Sequence, residues 1–371
     1  IGGARFVYMP TINLTGTGYT TGLDGDITYK GPVYSRYGNP EVTWEVGKKV
    51  NVGLDLQLFN SLNLTMDYFH ETRTDIFQER GTIPQYLGTA GTKVFGNLAA
   101  MKNQGFDFAA DFNKKIGKDW FISFKGTFTY AHNEITKYDE SPKYAFQSKV
   151  GQSANIPSIM ISDGLFKDPD DVKNSNQQIG GNLSAGDIKY VNISKLYGYD
   201  DDIVDISDWV WAKNPTVPEI VYGFGPSIKY KNLDFSLFFQ GTGRVSLMMS
   251  GFHPFTNDNN TAKRGILDYV ADGCWTTDNP NPNASYPRLT TAYNTNNNQN
   301  STFWLRNAAF LKLKNAEIGY SFKNMRIYVS GNNLLTFSKF KLWDPEMGGG
   351  SGMSCIHKAT CIFAKLIYSI Q

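Results

Sequence analysis

Between Thr43 and Asn133, apolar and polar side chains alternate over stretches longer than a soluble strand needs. Val50, Val52, Leu54, Leu56 and Leu58 share one face of an extended chain, and Asn51, Gly53, Asp55 and Gln57 share the other. After a turn at Asn60-Ser61, Leu62, Leu64, Met66 and Tyr68 resume the apolar face against Asn63, Thr65 and Asp67. The pattern returns in Phe106, Phe108, Ala110 and Phe112, and again in Trp120, Ile122, Phe124, Phe128 and Tyr130. A strand of a soluble domain runs about 5–6 residues, whereas one that crosses a bilayer needs about 9–11. Two-residue periodicity of this length, with aromatics near the strand ends, predicts an all-β fold, a transmembrane antiparallel β-barrel.

The bulk numbers agree. Mean hydropathy is −0.36 and 41% of residues are hydrophobic, yet no stretch approaches the roughly 20 apolar residues of a spanning helix. Barrel strands escape such a search because lumen-facing residues dilute the lipid-facing ones. Aromatics at 14% suit interfacial girdles better than a soluble core. A net charge of +2 excludes a nucleic-acid partner by bulk electrostatics. The three cysteines (Cys274, Cys355, Cys361) are odd in number and lack a repeated spacing, so neither a disulfide framework nor a zinc site is expected. His70, His132, His253 and His357 are scattered without metal-ligand spacing. There is no P-loop, dinucleotide fingerprint or nucleophile elbow, and Gly348-Gly349-Gly350 lacks the lysine of a phosphate cradle. Asp55, Asp67, Asp107 and Asp111 are explained by alternation as groups wetted by the lumen, and Lys48, Lys49 and Lys125 as lumen or interface residues. No enzyme, metal or cofactor is expected.

Connections of two kinds alternate along the chain. Short turns fall at Asn60-Ser61, Lys114–Asp119, Lys231-Asn232 and Lys323-Asn324, and long loops at Thr72–Lys102, Glu134–Pro218, Ser246–Thr302 and Ser338–Met353. Bacterial barrels place short turns in the periplasm and long loops outside the cell. About eight strands are clear, including Glu219–Tyr230, Leu233–Arg244, Trp304–Phe322 and Met325–Phe337, with a less regular ninth after the glycine run. Loops this long on so few strands fit a sector of a wide barrel better than a narrow closed one. The opening Ile1-Gly2-Gly3 carries no export signal, which points to the C-terminal portion of a larger protein. Asn294–Asn300 reads as a solvated loop tip. The cluster Asp200, Asp201, Asp202, Asp205 and Asp208 has no glycine at a bend, as a calcium loop requires, and reads as a solvated acidic loop.

Several stretches, in one order, resemble the C-terminal region of the SusC/RagA family of TonB-dependent outer-membrane transporters. They are Gly38-Asn39-Pro40-Glu41-Val42-Thr43-Trp44-Glu45, Asn103-Gln104-Gly105-Phe106-Asp107, Asp163-Gly164-Leu165-Phe166, and Gly186-Asp187-Ile188-Lys189-Tyr190. Pro218-Glu219-Ile220-Val221-Tyr222-Gly223-Phe224 follows, then Lys231-Asn232-Leu233-Asp234-Phe235 and Phe238-Phe239-Gln240-Gly241. Leu311-Lys312-Leu313-Lys314-Asn315-Ala316-Glu317-Ile318-Gly319-Tyr320, Asn332-Asn333-Leu334-Leu335-Thr336-Phe337 and Asp344-Pro345-Glu346 complete the set. The resemblance implies a barrel of about twenty-two strands with an N-terminal plug. It further implies import of oligosaccharides or peptides in the cell outer membrane of a Gram-negative, Bacteroidetes-like organism. The implied partners are a SusD-like surface lipoprotein, the TonB complex (through a plug region this sequence does not contain) and outer-membrane lipid. Residues 1–353 form the barrel part, and 354–371 an atypical tail.

Tyr197, Tyr199, Trp209 and Trp211 lie in the long central loop, where a nutrient would arrive. Flat aromatic faces with polar edges suit sugar rings, so these four are the candidate substrate-binding residues. Packing the loop against its neighbours or a partner lid is the plainer role for the same side chains. Trp275 and Tyr286, flanking Asp278-Asn279-Pro280, belong to the family's Trp…Asn-Pro…Tyr-Pro-Arg pattern and read as loop-structuring. The rival readings are a soluble β-rich glycan-binding module or adhesin, and a glycoside hydrolase. The latter needs paired carboxylates on short repeated strands, which are not evident.

After Met353 the resemblance stops abruptly. Ser354–Cys361 carries two cysteines, and Ile362–Ile370 is apolar without steady alternation before Gln371. Such a break is what a reading-frame shift produces. Translating the coding DNA in its other two frames is expected to give, in one of them, an alternating strand ending in an aromatic residue. If neither frame does so, the tail is genuine.

Overall fold

The computed structural model describes residues 6–83, 92–176, 178–180, 183–199, 201–249, 268–290, 294–323, 325–347 and 361–368, the last as backbone alone. The chain divides into two compact units. The first comprises Ile1–Val52, Tyr68–Gly105 and His132–Ala154, and the second Gly53–Asp67, Phe106–Ala131 and Asn155–Gln371. No helix among the described residues is long and apolar enough to cross a membrane.

In chain order, β1 (Thr11–Thr21) and β2 (Ile27–Arg36) form a hairpin of their own. The long strands follow: β3 (Val46–Leu58), β4 (Leu62–Glu79), β5 (Phe95–Ile116) and β6 (Trp120–Lys137). Short strands β7 (Ser158–Ile159), β8 (Ser162–Leu165), β9 (Ile188–Tyr190) and β10 (Val210–Trp211) occupy the central loop. Next come β11 (Ile220–Tyr230), β12 (Leu233–Gly243), β13 (Ser246–Met248) and β14 (Leu305–Asn307), then β15 (Phe310–Phe322), β16 (Met325–Ser338) and β17 (Cys361–Tyr368). Nine of these pair in the order β17-β16-β15-β12-β11-β6-β5-β4-β3. The sheet is antiparallel where its register is resolved, and it does not close: β3 and β17 end it, as expected of a barrel sector.

The register explains why alternation was so regular. In the second unit, Ile122, Ile228, Phe235, Ile318 and Val329 stand opposite one another across five strands. One step nearer the short turns, Trp120, Tyr230, Leu233, Tyr320 and Ile327 make a parallel row. Its Trp120 and Tyr230 rings are 4.4 Å apart, the beginning of an aromatic girdle. On the other face, Ser123, Ser227, Ser236, Glu317 and Ser330 line up instead. That face is cross-linked by polar contacts: Thr65 to Asp55 at 2.7 Å, Thr129 to Asp107 at 2.6 Å, and Asn315 to Asn332 at 2.9 Å. Arg326 Nη2 reaches Asp234 and Glu317 at 2.5 and 2.6 Å. The apolar row stays open, with Ile228 39% and Ile318 49% exposed. A continuous apolar band of this kind needs a covering that the polar face does not.

In the first unit, the Gly38–Thr43 motif is tied down by side-chain amides. Asn39 accepts from the Glu41 N–H and donates to the Phe95 carbonyl, and Asn97 makes a two-way pair with Thr43. A Cβ at Gly38 would sit 2.6 Å from the Tyr8 carbonyl, so the backbone passes where only glycine fits. Asp139 accepts from the Gly81 N–H and the Thr82 hydroxyl.

Four expectations need correcting. The loop set at Thr72–Lys102 is shorter, because β4 runs to Glu79 and β5 begins at Phe95; polar ends hide the alternation there, while Lys102–Glu134 at 2.9 Å and Lys49–Glu71 at 3.5 Å link strands. Likewise β5 reaches Ile116 and β6 reaches Lys137, narrowing the turn and the loop drawn at either end. Trp304–Phe322 is not one strand: Leu305–Asn307 pairs with β13, and β15 starts only at Phe310. The β1–β2 hairpin is not among the expected strands, since Gly16, Gly18 and Gly31 interrupt the alternation begun by Ile12 and Leu14 and by Ile27 and Tyr29. Of the tail, Ser354–Thr360 and its Cys355 lie outside the described residues, whereas Cys361–Tyr368 pairs antiparallel with Met325–Asn332.

Arginine at Ile228 or Ile318 is expected to lower stability by about 2–4 kcal/mol if the row lies near the bilayer midplane. Arginine at Ser236 is expected to cost far less. Urea unfolding of the whole protein in lipid vesicles measures both, and equal losses on the two faces would contradict the assignment.

Candidate functional site

The buried core of the second unit lies in its loops, not in its wall. Met160, Leu165, Ile188, Tyr190, Val204, Leu247, Trp275, Tyr286, Trp304 and Trp343 pack into one cluster drawn from three long connections. Asp187 organises it. This carboxylate is fully buried and accepts from Arg288 Nε and Nη2 at 2.7 and 3.1 Å, in a fork. It also accepts from Asn294 at 3.1 Å, Asn297 at 2.9 Å and the Ser184 N–H at 2.9 Å. Next to it, side-chain amides take the place of a neighbouring strand along β9. Asn297 accepts from the Ile188 N–H while Asn296 donates to the Ile188 carbonyl. Gln178 does both to Tyr190, at 2.9 and 3.1 Å. The Tyr190 hydroxyl donates to the Asn296 carbonyl at 2.7 Å, and burial pushes its pKa well up.

The stretch Asn294–Asn300 is therefore no solvated tip. Asn296 and Asn297 are fully buried, because a loop core without a regular sheet needs amides that both donate and accept. Sequence reading missed this hub. Its signal was present as Gly-Asp-Ile-Lys-Tyr and Tyr-Pro-Arg, two motifs 101 residues apart at Asp187 and Arg288. Gly186 has φ +85° and would place a Cβ 2.4 Å from the Trp275 ring, so the motif's glycine is required by close approach as well as by turn geometry. The Trp275 N–H donates to the Tyr286 carbonyl at 3.0 Å, and both side chains are buried in this core, which fits a loop-structuring role. Cys274 is buried alongside, its thiol pushed up to about 11 by burial.

The four candidate aromatics fall on two short elements. A single helical turn, α1 (Ile193–Leu196), is capped by Asn192, whose side chain accepts from the Lys195 N–H. Tyr197 ends it and Tyr199 follows, 60% and 49% exposed. Asp208 binds the Ser194 N–H at 2.8 Å and the Asp205 N–H at 2.9 Å, joining α1 to the turn Ile206–Asp208. Trp209 and Trp211 leave that turn half-buried, in edge-to-face contact at 4.8 Å, with Trp209 against the core. The acidic cluster is thus not a plain solvated loop. Asp208 is fully buried and Asp205 caps the Ser207 N–H, so carboxylates here serve as caps. Asp200 lies outside the described residues. Among the described residues no group of three or more His, Cys, Asp or Glu side chains is arranged to hold a metal ion.

Two family motifs meet at a second buried charge. Lys312, 1% exposed on its side chain, pairs with Asp344 at 2.6 Å and Glu346 at 2.7 Å, and Lys314 adds a contact to Glu346. Burial raises the Glu346 pKa, but the two lysines outweigh it and hold the carboxyl below its ordinary value. Beside this cluster a cavity of about 390 Å³ is lined by Thr216, Gln240, Thr242, Met248, Phe310 and Glu346, among others. The Thr242 hydroxyl is buried there without a partner among the described residues. The loops thus offer walls with polar donors and acceptors.

The family model described as TonB dependent receptor-like, beta-barrel matches residues 2–334. TonB-dependent receptor P3 of Formosa agariphila is 24% identical over 340 residues, covering 87% of this chain and 32% of that protein. TonB-dependent receptor SusC of Bacteroides thetaiotaomicron is 24% identical over 383 residues, covering 94% and 34%. The chain spans about a third of the length of these curated relatives. The RagAB peptide importer in its open-open state gives a TM-score of 0.66 at 21% identity, over 99% of this chain and 38% of that one. At that identity the likeness shows the fold.

Replacing Asp187 by alanine leaves Arg288, Asn294 and Asn297 without their acceptor, and is expected to destabilise the loop core by roughly 3–5 kcal/mol. Limited proteolysis of the whole protein is expected to cut the central loops of this variant while the wall stays heat-modifiable. Loops as resistant as those of the unaltered protein would contradict the hub.

Proposed function

The chain belongs to the TonB dependent receptor-like β-barrel family, and from there we propose that it supplies a sector of wall and outer vestibule to a nutrient importer. The importer sits in the cell outer membrane of a Gram-negative, Bacteroidetes-like organism. It takes up oligosaccharides or peptides together with a SusD-like surface lipoprotein, driven by the TonB complex through a plug outside this sequence. The work of this chain is passive. The wall excludes lipid, and the loops, held rigid by the Asp187 hub, form the vestibule in which Tyr197, Tyr199, Trp209 and Trp211 meet the nutrient.

The observation that carries the reading is the apolar row from Ile122 to Val329, in register over five strands and backed by a polar face. Such a wall is stable where lipid covers one side and water or protein the other. Fractionation of the native full-length protein tests it. Recovery from the outer membrane, with detergent needed for extraction, is expected. A protein found in the soluble fraction without detergent would overturn the proposal and return the soluble glycan-binding reading.

A further inference from the structure

A second cavity in the loops, about 440 Å³, is lined by Tyr269, Tyr286, Arg306, Asn307, Lys339 and Lys341, with Ser285, Phe340 and Leu342 completing the wall. Three of these side chains are cations and none is a carboxylate. Arg306, Lys339 and Lys341 make no ion pair among the described residues, whereas Lys312, Lys314, Arg288 and Arg326 all do. Arg306 is half-buried, and its bonds go to backbone: Nη1 donates to the Phe303 and Leu305 carbonyls at 2.6 and 3.1 Å. Its Nε and Nη2 donate to nothing among the described residues, which leaves two donors of the guanidinium fork unused. Unneutralised cations converging on one concave wall raise the local concentration of anions.

We propose that this cavity is a subsite for the carboxylate of an acidic oligosaccharide, a sugar chain containing uronic acid residues; the proposal rests on the nutrient-import reading and names its cargo. The fork of Arg306 matches a carboxylate in geometry, and the two lysines supply further charge at the mouth, where both are exposed. Tyr269, 38% exposed and with its ring centroid 6.4 Å from that of the buried Tyr286, gives aromatic surface with a polar edge for the pyranose ring. Burial, with neighbouring Tyr269 second, pushes Tyr286 up to about 12, so its hydroxyl stays a neutral donor. The Ser285 hydroxyl and the Asn307 amide serve the ring hydroxyls. A peptide with apolar side chains would need pockets for them. Here Phe340 is only 5% exposed, its ring edge-to-face with Trp343 at 4.5 Å, so it opens no such pocket.

Titration calorimetry on the full-length protein in detergent tests the subsite with trigalacturonic acid, galactotriose and triglutamate. Trigalacturonic acid is expected to bind at least roughly tenfold more tightly than galactotriose. Arg306→Gln, and separately the pair Lys339→Gln with Lys341→Gln, are expected to weaken the acid by about tenfold and leave galactotriose unchanged. The lysine pair is exposed and makes no ion pair among the described residues, so it keeps the test sound if Arg306→Gln impairs folding. No binding of the uronate, equal affinity for the neutral sugar, indifference to both variants, or an equal response from triglutamate would each overturn the proposal. Fractionation reads the importer independently. A soluble protein that keeps the uronate preference retains the subsite and loses the importer, and an outer-membrane protein without the preference does the reverse.

Discussion

A sheet bathed in lipid on one face has to satisfy its backbone within itself, and that constraint governs this chain. Each residue that moves out of register turns its side chain to the wrong side, so the pairing of Ile122 with Ile228, Phe235, Ile318 and Val329 fixes the whole wall at once. The polar contacts on the opposite face, such as Arg326 with Asp234 and Glu317, reinforce one register and no other. The bulge between Leu313 and Asn315, which shifts β15 against both neighbours, marks where the wall gives way to the loops. Past it, Lys312, still in register with Gln240 and Thr336, pairs through its side chain with Asp344 and Glu346.

Beyond the strand ends a different chemistry takes over. The wall owes its stability to its surroundings, whereas the loops must make their own interior, and they do so around a carboxylate. Asp187 gathers five donors from Ser184, Arg288, Asn294 and Asn297. A buried charge left partly satisfied would cost more than it contributes, which is why the surrounding stretch is so rich in asparagine. The tryptophans and tyrosines then fill the space that this frame defines. Distant connections become one body through a few charge-assisted bonds rather than through a sheet.

The wall was legible in the sequence because its determinant is local. A period of two over a dozen residues survives any tertiary arrangement, so Val50 to Tyr68 and Ala316 to Phe322 declared their strands directly. Strand ends were less legible, since the polar residues of His70 to Glu79 carry no alternation although β4 continues through them. The loop core was hardest. Asn296 and Asn297 look like solvent-loving residues until Ile188 and Asp187, more than a hundred positions away, are brought to them. The motif residues pointed to the correct family, but not to which side chains those residues would hold. The candidate aromatics show the same limit: position put Tyr197, Tyr199, Trp209 and Trp211 in the central loop, and only coordinates reveal that the first two crown an exposed turn while Trp209 leans into the core with Trp211 against its ring.

The amides that flank β9 have a consequence for what can attach to the loops. Ile188 and Tyr190 spend every outward backbone donor and acceptor on Asn296, Asn297 and Gln178. An extended polypeptide drifting past therefore finds no rung on which to start a ladder. A loop assembly built from short strands would otherwise offer unfolded polypeptide an edge to add to, like a zip catching cloth. Sealing that edge with side chains, which cannot be copied by the next chain along, keeps this part of the loop core non-stick.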